Sequence, residues 1–393
     1  LARHHLNYVR QDVCSWGGLL NGQKYPAQFS RPAWPFARTG PGRAVDGKPK
    51  FDLTKFDQSY FETRLKPFLQ EAAKRGIYVE LTLFEEPRRR SFAESLYADA
   101  NNINGLNVQP GQVTSDAALG NARLLAVQHA FVEKVLAETS AFGNVIYEVA
   151  NESGGRQWVA HMIDYIHQRC PGSLVSAGEQ ASPFDPRLGR NDIVVKHRGG
   201  AGPYATDADV ADHHAALLRF RAGKPVCHNE YFLFANRSTD DLNFPRKMMW
   251  ADFTAGGHSN FFDFTFWRGT GRTTGDGQPS RSPPPQILQA GRHLLDFLAT
   301  NRVRFWTMQP HDELATVEPA GRAYVFTFAE PGREYICYVL GNGQVKVALQ
   351  LEPGTFAARW YEPKQGRFIS RSRRVQGPGR RLFLSPRFRQ DIV

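Results

Sequence analysis

Two hydrophobic periods alternate along most of this chain. Phe61, Leu65, Phe68, Leu69 and Ala72 fall on one face of a helix, Gly76 closes it, and residues 77–84 form an apolar strand ending in Glu85 and Glu86. Leu124, Val127, Phe131, Val135 and Leu136 repeat the helical spacing, Gly143 ends it, and residues 145–150 are apolar except for Glu148 before the run stops at Asn151 and Glu152. The same alternation predicts a helix over 158–168 with a strand over 174–177 ending near Glu179, and then a strand over 192–196 ending at His197. Further on it predicts a helix over 207–221, a strand over 225–231 carrying Glu230, a helix over 244–255, a strand over 260–266 ending at Trp267, and a last helix over 286–300. Ahead of all these, residues 1–5 read as the tail of a helix and 6–10 as a short strand ending in Arg10. A loop rich in Gly, Pro and aromatics follows from 15 to about 49.

Helix, glycine, apolar strand and polar strand end form the repeating unit of a parallel α/β fold. Seven such strands are present, and a closed (β/α)8 TIM barrel needs eight; the first strand is therefore expected to precede Leu1. An open doubly wound sheet would also alternate, but it should carry a Gly-rich phosphate loop after its first strand, and neither GxGxxG nor GxxxxGK[ST] occurs in that setting. After about residue 310 the period changes to two. Residues 323–328, 334–340, 345–351 and 356–361 are strand-like, separated by turns at Pro331-Gly332, Gly341-Asn342-Gly343, Pro353-Gly354 and Gly366. This is the pattern of a small antiparallel β-sandwich. The expected organisation is a barrel domain over 1–312 and a β-sandwich over 313–393.

Composition changes this picture little. The 393 residues suffice for a barrel and an appendage, and no run of about 18 apolar residues marks a membrane span. The net charge of +11 is carried mostly by arginine, with clusters at Arg88-Arg89-Arg90 and between Arg371 and Arg374. It reads as solubility or as attraction to an acidic partner such as a uronate-bearing polysaccharide; no nucleic-acid motif accompanies it. Cys14, Cys170, Cys227 and Cys337 show no CxxC spacing, and His213-His214 lacks HExxH, so neither a disulfide framework nor a metal site is expected. No signal peptide is visible, yet the chain opens at Leu1 rather than Met. A leader removed upstream would fit a secreted or periplasmic protein. The oligomeric state is not legible.

Catalytic residues of a barrel sit at the C-terminal ends of its strands. Counted with the missing first strand, the strand ending in Asn151-Glu152 is the fourth and that of Glu230 the seventh. Strands three apart on a ring of eight lie nearly across its mouth, where two carboxyl groups can flank one glycosidic bond. The acid of such a pair needs a raised pKa, supplied by burial or by a nearby like charge. Glu85, Glu86 and Glu179 end other strands and read as subsite or loop residues; Trp16 and Trp158 read as packing. Asn151-Glu152-Ser153 spells a glycosylation sequon, but a barrel mouth is not an acceptor loop.

Asn-Glu ending one strand, with a Glu ending the strand three further on, resembles the retaining (β/α)8 glycoside hydrolases of clan A, the cellulase-like and apiosidase-like enzymes among them. The resemblance implies Glu152 as acid/base and Glu230 as nucleophile. It implies Asn151 on the sugar 2-hydroxyl, Arg10 beside the nucleophile, His197 lining the subsite and Trp267 as its aromatic floor. The segment from Arg359 to Gly366 resembles the W-Y-x-P-x-x-G turn of the small β-domain, called collagen-binding, that follows such barrels, and the ending from Ser385 to Asp391 fits it too. The activity implied is hydrolysis of O-glycosidic bonds in a plant or microbial polysaccharide by double displacement, with no metal or cofactor. The loops 15–49 and 87–112 would shape the cleft. A carbohydrate-binding or scaffold protein without turnover is the alternative, although binding alone needs no paired acids. A metal-dependent hydrolase, sensitive to chelators, has less support.

Overall fold

The computed structural model describes residues 1–14, 19, 34–178, 190–197, 206–220, 224–232, 243–262 and 285–393, and at Glu230 it describes the backbone. Trp16, Glu179 and Trp267 lie outside the described residues. The fold is mixed α/β, and the chain divides into two units, one of residues 7–195 with 265–280, the other of 1–6, 196–264 and 281–393.

In the first unit β1 (Tyr8–Asp12), β4 (Tyr78–Glu85), β5 (Val145–Asn151) and β6 (Leu174–Ser176) form one parallel sheet in the order β1-β4-β5-β6. All of β5 and all but the ends of β4 are buried, as expected of parallel strands covered on both faces. The connecting helix begins at Asp57, whose side chain accepts from Ser59 N, passes through a π-helical turn at Phe61–Leu65 and continues as α1 (Lys66–Lys74). That turn carries an extra residue. Phe61, Leu65, Leu69 and Ala72 are buried as the spacing predicts, but Phe68 is 37% exposed. Helix α2 (Ala122–Thr139) is capped by Asn121 and buries Leu124, Val127, Phe131, Val135 and Leu136. The Phe131 ring meets Phe84 of β4, and Phe84 in turn meets Trp158 of α3 (Arg156–Arg169).

Part of the stretch read as a loop is a hairpin, β2 (Phe36–Arg43) with β3 (Pro49–Phe56). Its pairing shifts register at three places, which erases the alternation by which a strand is recognised. Gly40 is required there, since a Cβ would lie 2.5 Å from Ile103 Cγ2. Beyond β6, Gly178 has φ +77°, and a Cβ would lie 1.7 Å from the Ala150 carbonyl oxygen. β7 (Val194–Lys196) falls at the division between the units.

In the second unit β8 (Val226–Phe232) and β9 (Gly257–Phe262) run parallel, with an irregularity between His228 and Tyr231. Two antiparallel sheets follow: β10 (Gln309–Pro310), β12 (Ala323–Glu330), β13 (Glu334–Gly343) and β20 (Phe388–Ile392) in the order β10-β12-β13-β20, and β11 (Ala315–Glu318), β14 (Lys346–Leu351) and β19 (Gly379–Leu384) in the order β11-β14-β19. Two short pairs, β15 (Thr355–Ala358) with β18 (Arg373–Gln376) and β16 (Tyr361–Glu362) with β17 (Arg367–Phe368), complete them. The last three strands were not legible in the sequence, because β18 and β19 are Arg-rich and largely exposed. The helices of this unit are α4 (Asp207–Phe220), α5 (Phe244–Thr254) and α6 (Pro285–Thr300). Nearly every residue of α5 is buried, and Trp250 lies in one apolar cluster with Phe297 of α6, Phe328, Tyr338 and Tyr361. Arg246 of α5 grips Asp391 of β20 through Nε (2.9 Å) and Nη2 (2.8 Å), and the Tyr338 hydroxyl also donates to that carboxylate. Among the described residues no helix is long and apolar enough to cross a membrane, and all four cysteines are free.

Two stability measurements test these constraints. Asp391→Ala strands the Arg246 guanidinium in the interior and should cost about 3–5 kcal/mol in urea unfolding. Gly178→Ala should cost about 3 kcal/mol or more, because it combines a left-handed backbone with a collision against β5.

Candidate active site

The C-terminal edge of the parallel sheet in the first unit gathers polar side chains around one arginine. Arg10 of β1 donates through Nε to Glu148 Oε2 (2.6 Å) and through Nη2 to Asn151 Oδ1 (2.7 Å). The Arg10 and Glu148 side chains are 8% and 0% exposed, so the ion pair is interior. Thr82 Oγ1 also donates to Glu148 Oε2, as the register that sets Thr82 beside Glu148 allows. Deeper along the strands, Glu80 is buried and accepts from Tyr8 and from Ser176 Oγ (2.7 Å). Glu148 and Asn151 are three residues apart, a spacing that strict strand alternation puts on opposite faces; the arginine fork reaches both.

Glu85 stands in register with Asn151 at the ends of β4 and β5. Its carboxyl is pushed up to about 9, first by burial and then by the Asp12 carboxylate, while Arg88, Asn151 and Arg10 oppose the shift. At neutral pH Glu85 is therefore a proton-bearing acid. Burial, with Asp12 and Glu85 nearby, also drives the Cys14 thiol up, so that it is no nucleophile. The Asn151 amide favours the charged form of Glu85, yet neither Asn151 Nδ2 nor Glu85 Oε2, both buried, has a well-formed hydrogen bond among the described residues. Each buried polar atom left without a partner costs about 1–3 kcal/mol. Asn151 Nδ2 and Glu85 interact with each other, yet imperfectly, so a strand end with these two groups favours a ligand that hydrogen-bonds.

Glu152 follows directly. It is exposed and has φ +41°, a conformation uncommon for a residue with a Cβ. The chain turns out of β5 there, through Gly154 at φ +113°. Glu86, which also ends a strand, is structural. It accepts from Gly111 N (2.9 Å), Thr114 N (2.7 Å) and Thr114 Oγ1, and so anchors the loop before α2. Trp158 is packing, fully buried with its Nε1 on Gln128.

Of the residues singled out in the sequence, Arg10 and Asn151 are thus joined directly, with Glu152 next to them. His197, in the other unit, is buried, and its carbonyl accepts from His228 Nε2. The backbone of Glu230 lies in the irregular segment of β8, where two residues, Asn229 and Glu230, stand opposite one residue of β9, Asn260. Trp267 falls outside the described residues. Glu85, read from sequence as a subsite or loop residue, has its carboxyl strongly raised, and Asp12 and Glu148 were not singled out. The signals for them were a polar residue ending β1 and a lone charge within an apolar strand. At this edge no described His, Cys, Asp and Glu side chains converge closely enough to ligate a metal; the one described set that does is His213, His228 and Asp252, in the other unit.

No protein-family model matches the chain, and no curated protein is significantly similar to it. Solved structures share its fold. A candidate glycoside hydrolase from Bacteroides vulgatus superposes with a TM-score of 0.59 at 15% identity, covering 100% of this chain and 73% of that one. An α-amylase from Anoxybacillus superposes with a TM-score of 0.52 at 11% identity, covering 84% of this chain and 78% of that one. At such identities the likeness is one of fold.

The Glu85 pKa has a thermodynamic consequence. A carboxyl that titrates near 4.5 when unfolded and about 9 when folded leaves the native state holding the extra proton between those values. Stability contributed by this group therefore falls as pH rises through that window. Urea unfolding at pH 5, 7 and 9 should show a stability loss toward alkaline pH that the permanently neutral Glu85→Gln variant largely lacks.

Proposed function

We propose that this protein is a retaining glycoside hydrolase acting on a plant or microbial polysaccharide or oligosaccharide. The observation that supports the reading best is the buried Asn151 amide and the proton-bearing Glu85, which leave each other poorly hydrogen-bonded, beside an exposed Glu152 in a left-handed turn. A sugar hydroxyl both donates and accepts, and so suits both groups. The fold likeness to glycoside hydrolases agrees with it. The accompanying fold reading is a (β/α)8 barrel over 1–312 with a C-terminal β-sandwich over 313–393, exported to the periplasm or medium, where such polymers are met.

The roles of Glu152 and Glu230 come from the sequence resemblance. Glu230 attacks the anomeric carbon while Glu152 protonates the leaving oxygen. Glu152, now a carboxylate, then deprotonates the water that releases the sugar from Glu230. Asn151 holds the sugar hydroxyl next to the cleaved bond, kept in place through its Oδ1 by Arg10, and His197 and Trp267 line the subsite.

Reducing-sugar release from neutral and uronate-containing polysaccharides tests this. The wild-type chain should turn over at least one polymer, and Glu152→Gln and Glu230→Gln should each lose about 10²–10⁴ in kcat while calorimetry still detects bound oligosaccharide. Undiminished turnover in either variant would refute that residue's role. Sugar binding by the wild type without turnover of any polymer would favour the binding-protein alternative.

A further inference from the structure

The second unit contains a buried cluster with the chemistry of a cation site, built from three elements. His213 of α4 donates from Nε2 to Asp252 Oδ1 of α5 at 2.5 Å. His228 of β8 turns Nδ1 toward the other carboxylate oxygen, Oδ2, at 3.6 Å. The two imidazoles lie 4.9 Å apart between centroids. All three side chains are at most 1% exposed, and one ligand atom from each lies within 4.8 Å of the others.

The hydrogen bonds around the cluster fix which way its lone pairs point. His228 Nε2 faces the His197 carbonyl, so this nitrogen carries the proton. Its Nδ1, turned toward the Asp252 carboxylate, is the nitrogen that can carry either a second proton or a metal ion. Ser259 Oγ donates to Asp252 Oδ2 and holds the carboxylate. A ring N–H on a backbone carbonyl and a carboxylate steadied by a hydroxyl are the outer contacts that orient metal ligands. Among the described residues no Lys or Arg pairs with Asp252; its ion-pair partners are His213 and His228, and His258 also feels its charge. The neighbouring His214 is already committed, to the Ala251 carbonyl and to Asp312.

We propose that His213, His228 and Asp252 bind one divalent cation of the zinc class. Two imidazole nitrogens and a carboxylate suit Zn²⁺ or Co²⁺ better than Mg²⁺ or Ca²⁺, which prefer oxygen ligands. Ligands on a tetrahedral zinc at about 2.0–2.1 Å stand roughly 3.3 Å apart, a spacing that the separations in the cluster bracket. Binding displaces the His213 Nε2 proton, which leaves for solvent or moves to Nδ1. Because the ligands come from α4, α5 and β8 and are closed to solvent, the ion ties these elements together; it is not a reaction centre. This inference stands apart from the glycosidase reading.

The test uses the full chain stripped of metal with a chelator, dialysed, and titrated with Co²⁺ and, separately, with Zn²⁺. The expected result is one ion per chain, visible ligand-field absorption from Co²⁺ bound by imidazole nitrogen, and a higher thermal midpoint with either ion. His213→Asn should weaken binding at least about tenfold, and Ser259→Ala, a milder change that keeps all three ligands, by a similar factor. The rival site is the half-buried pair His129 and His161, whose Nε2 atoms are 2.8 Å apart. Binding that survives His213→Asn and Ser259→Ala but is lost in His161→Gln would overturn the proposal. So would a wild-type chain that takes up no ion and gains no thermal stability.

Discussion

The interior ion pair between Arg10 and Glu148 is the constraint from which the candidate site follows. Two charges at the end of a parallel sheet, with almost no water, are tolerable only if their geometry is good and their remaining hydrogen bonds are met. Thr82 supplies one such bond to the carboxylate, and Asn151 Oδ1 takes one from the guanidinium. Because the Asn151 oxygen is committed to Arg10, its amide nitrogen is left turned elsewhere, buried and without a well-formed partner. The unmet donor is thus a consequence of how the charge pair is satisfied.

Glu85 shows the complementary effect. It lies at the same sheet edge, but among the described residues no ion pair or hydrogen bond joins it to a cation, and burial acts on it together with the like charge of Asp12. Both keep its proton on, whereas Glu148 is paired with Arg10. One sheet end thereby holds a salt-bridged carboxylate and a protonated acid three residue positions from one another in the strand register, the former opposite Thr82 and the latter opposite Asn151. Separating the protonation of two carboxyl groups by environment is how sites divide acid and base roles.

The second unit meets its own buried charges by the same rule. Arg246 and Asp391 form a bidentate pair that Tyr338 completes, which joins an almost wholly buried helix to the antiparallel sheet. Asp252 lacks such a partner among the described residues and leans on histidines. One carboxylate is closed off by a guanidinium, the other is met by imidazoles and a hydroxyl.

The sequence by itself determined the order and kind of the alternating helices and parallel strands. Long apolar faces such as Leu124 to Leu136 and continuous apolar strands such as 145–150 can be buried in few ways, and their periods are visible without contacts. It also located Arg10, Asn151 and Glu152, because polar residues after an apolar strand fall at a sheet's edge. Only the tertiary structure decided what depends on register or on a local break in period. Phe68 is exposed despite its place in the apolar spacing, and the bulged hairpin β2–β3 hid its alternation. The raised pKa of Glu85 required burial at the sheet's end and the arrival of Asp12 from another strand. His213, His228 and Asp252 are spread over 40 positions and carry no motif; packing of α4, α5 and β8 alone makes them neighbours. Periodicity is a local property of the chain, whereas charge environment depends on which distant segments are brought together.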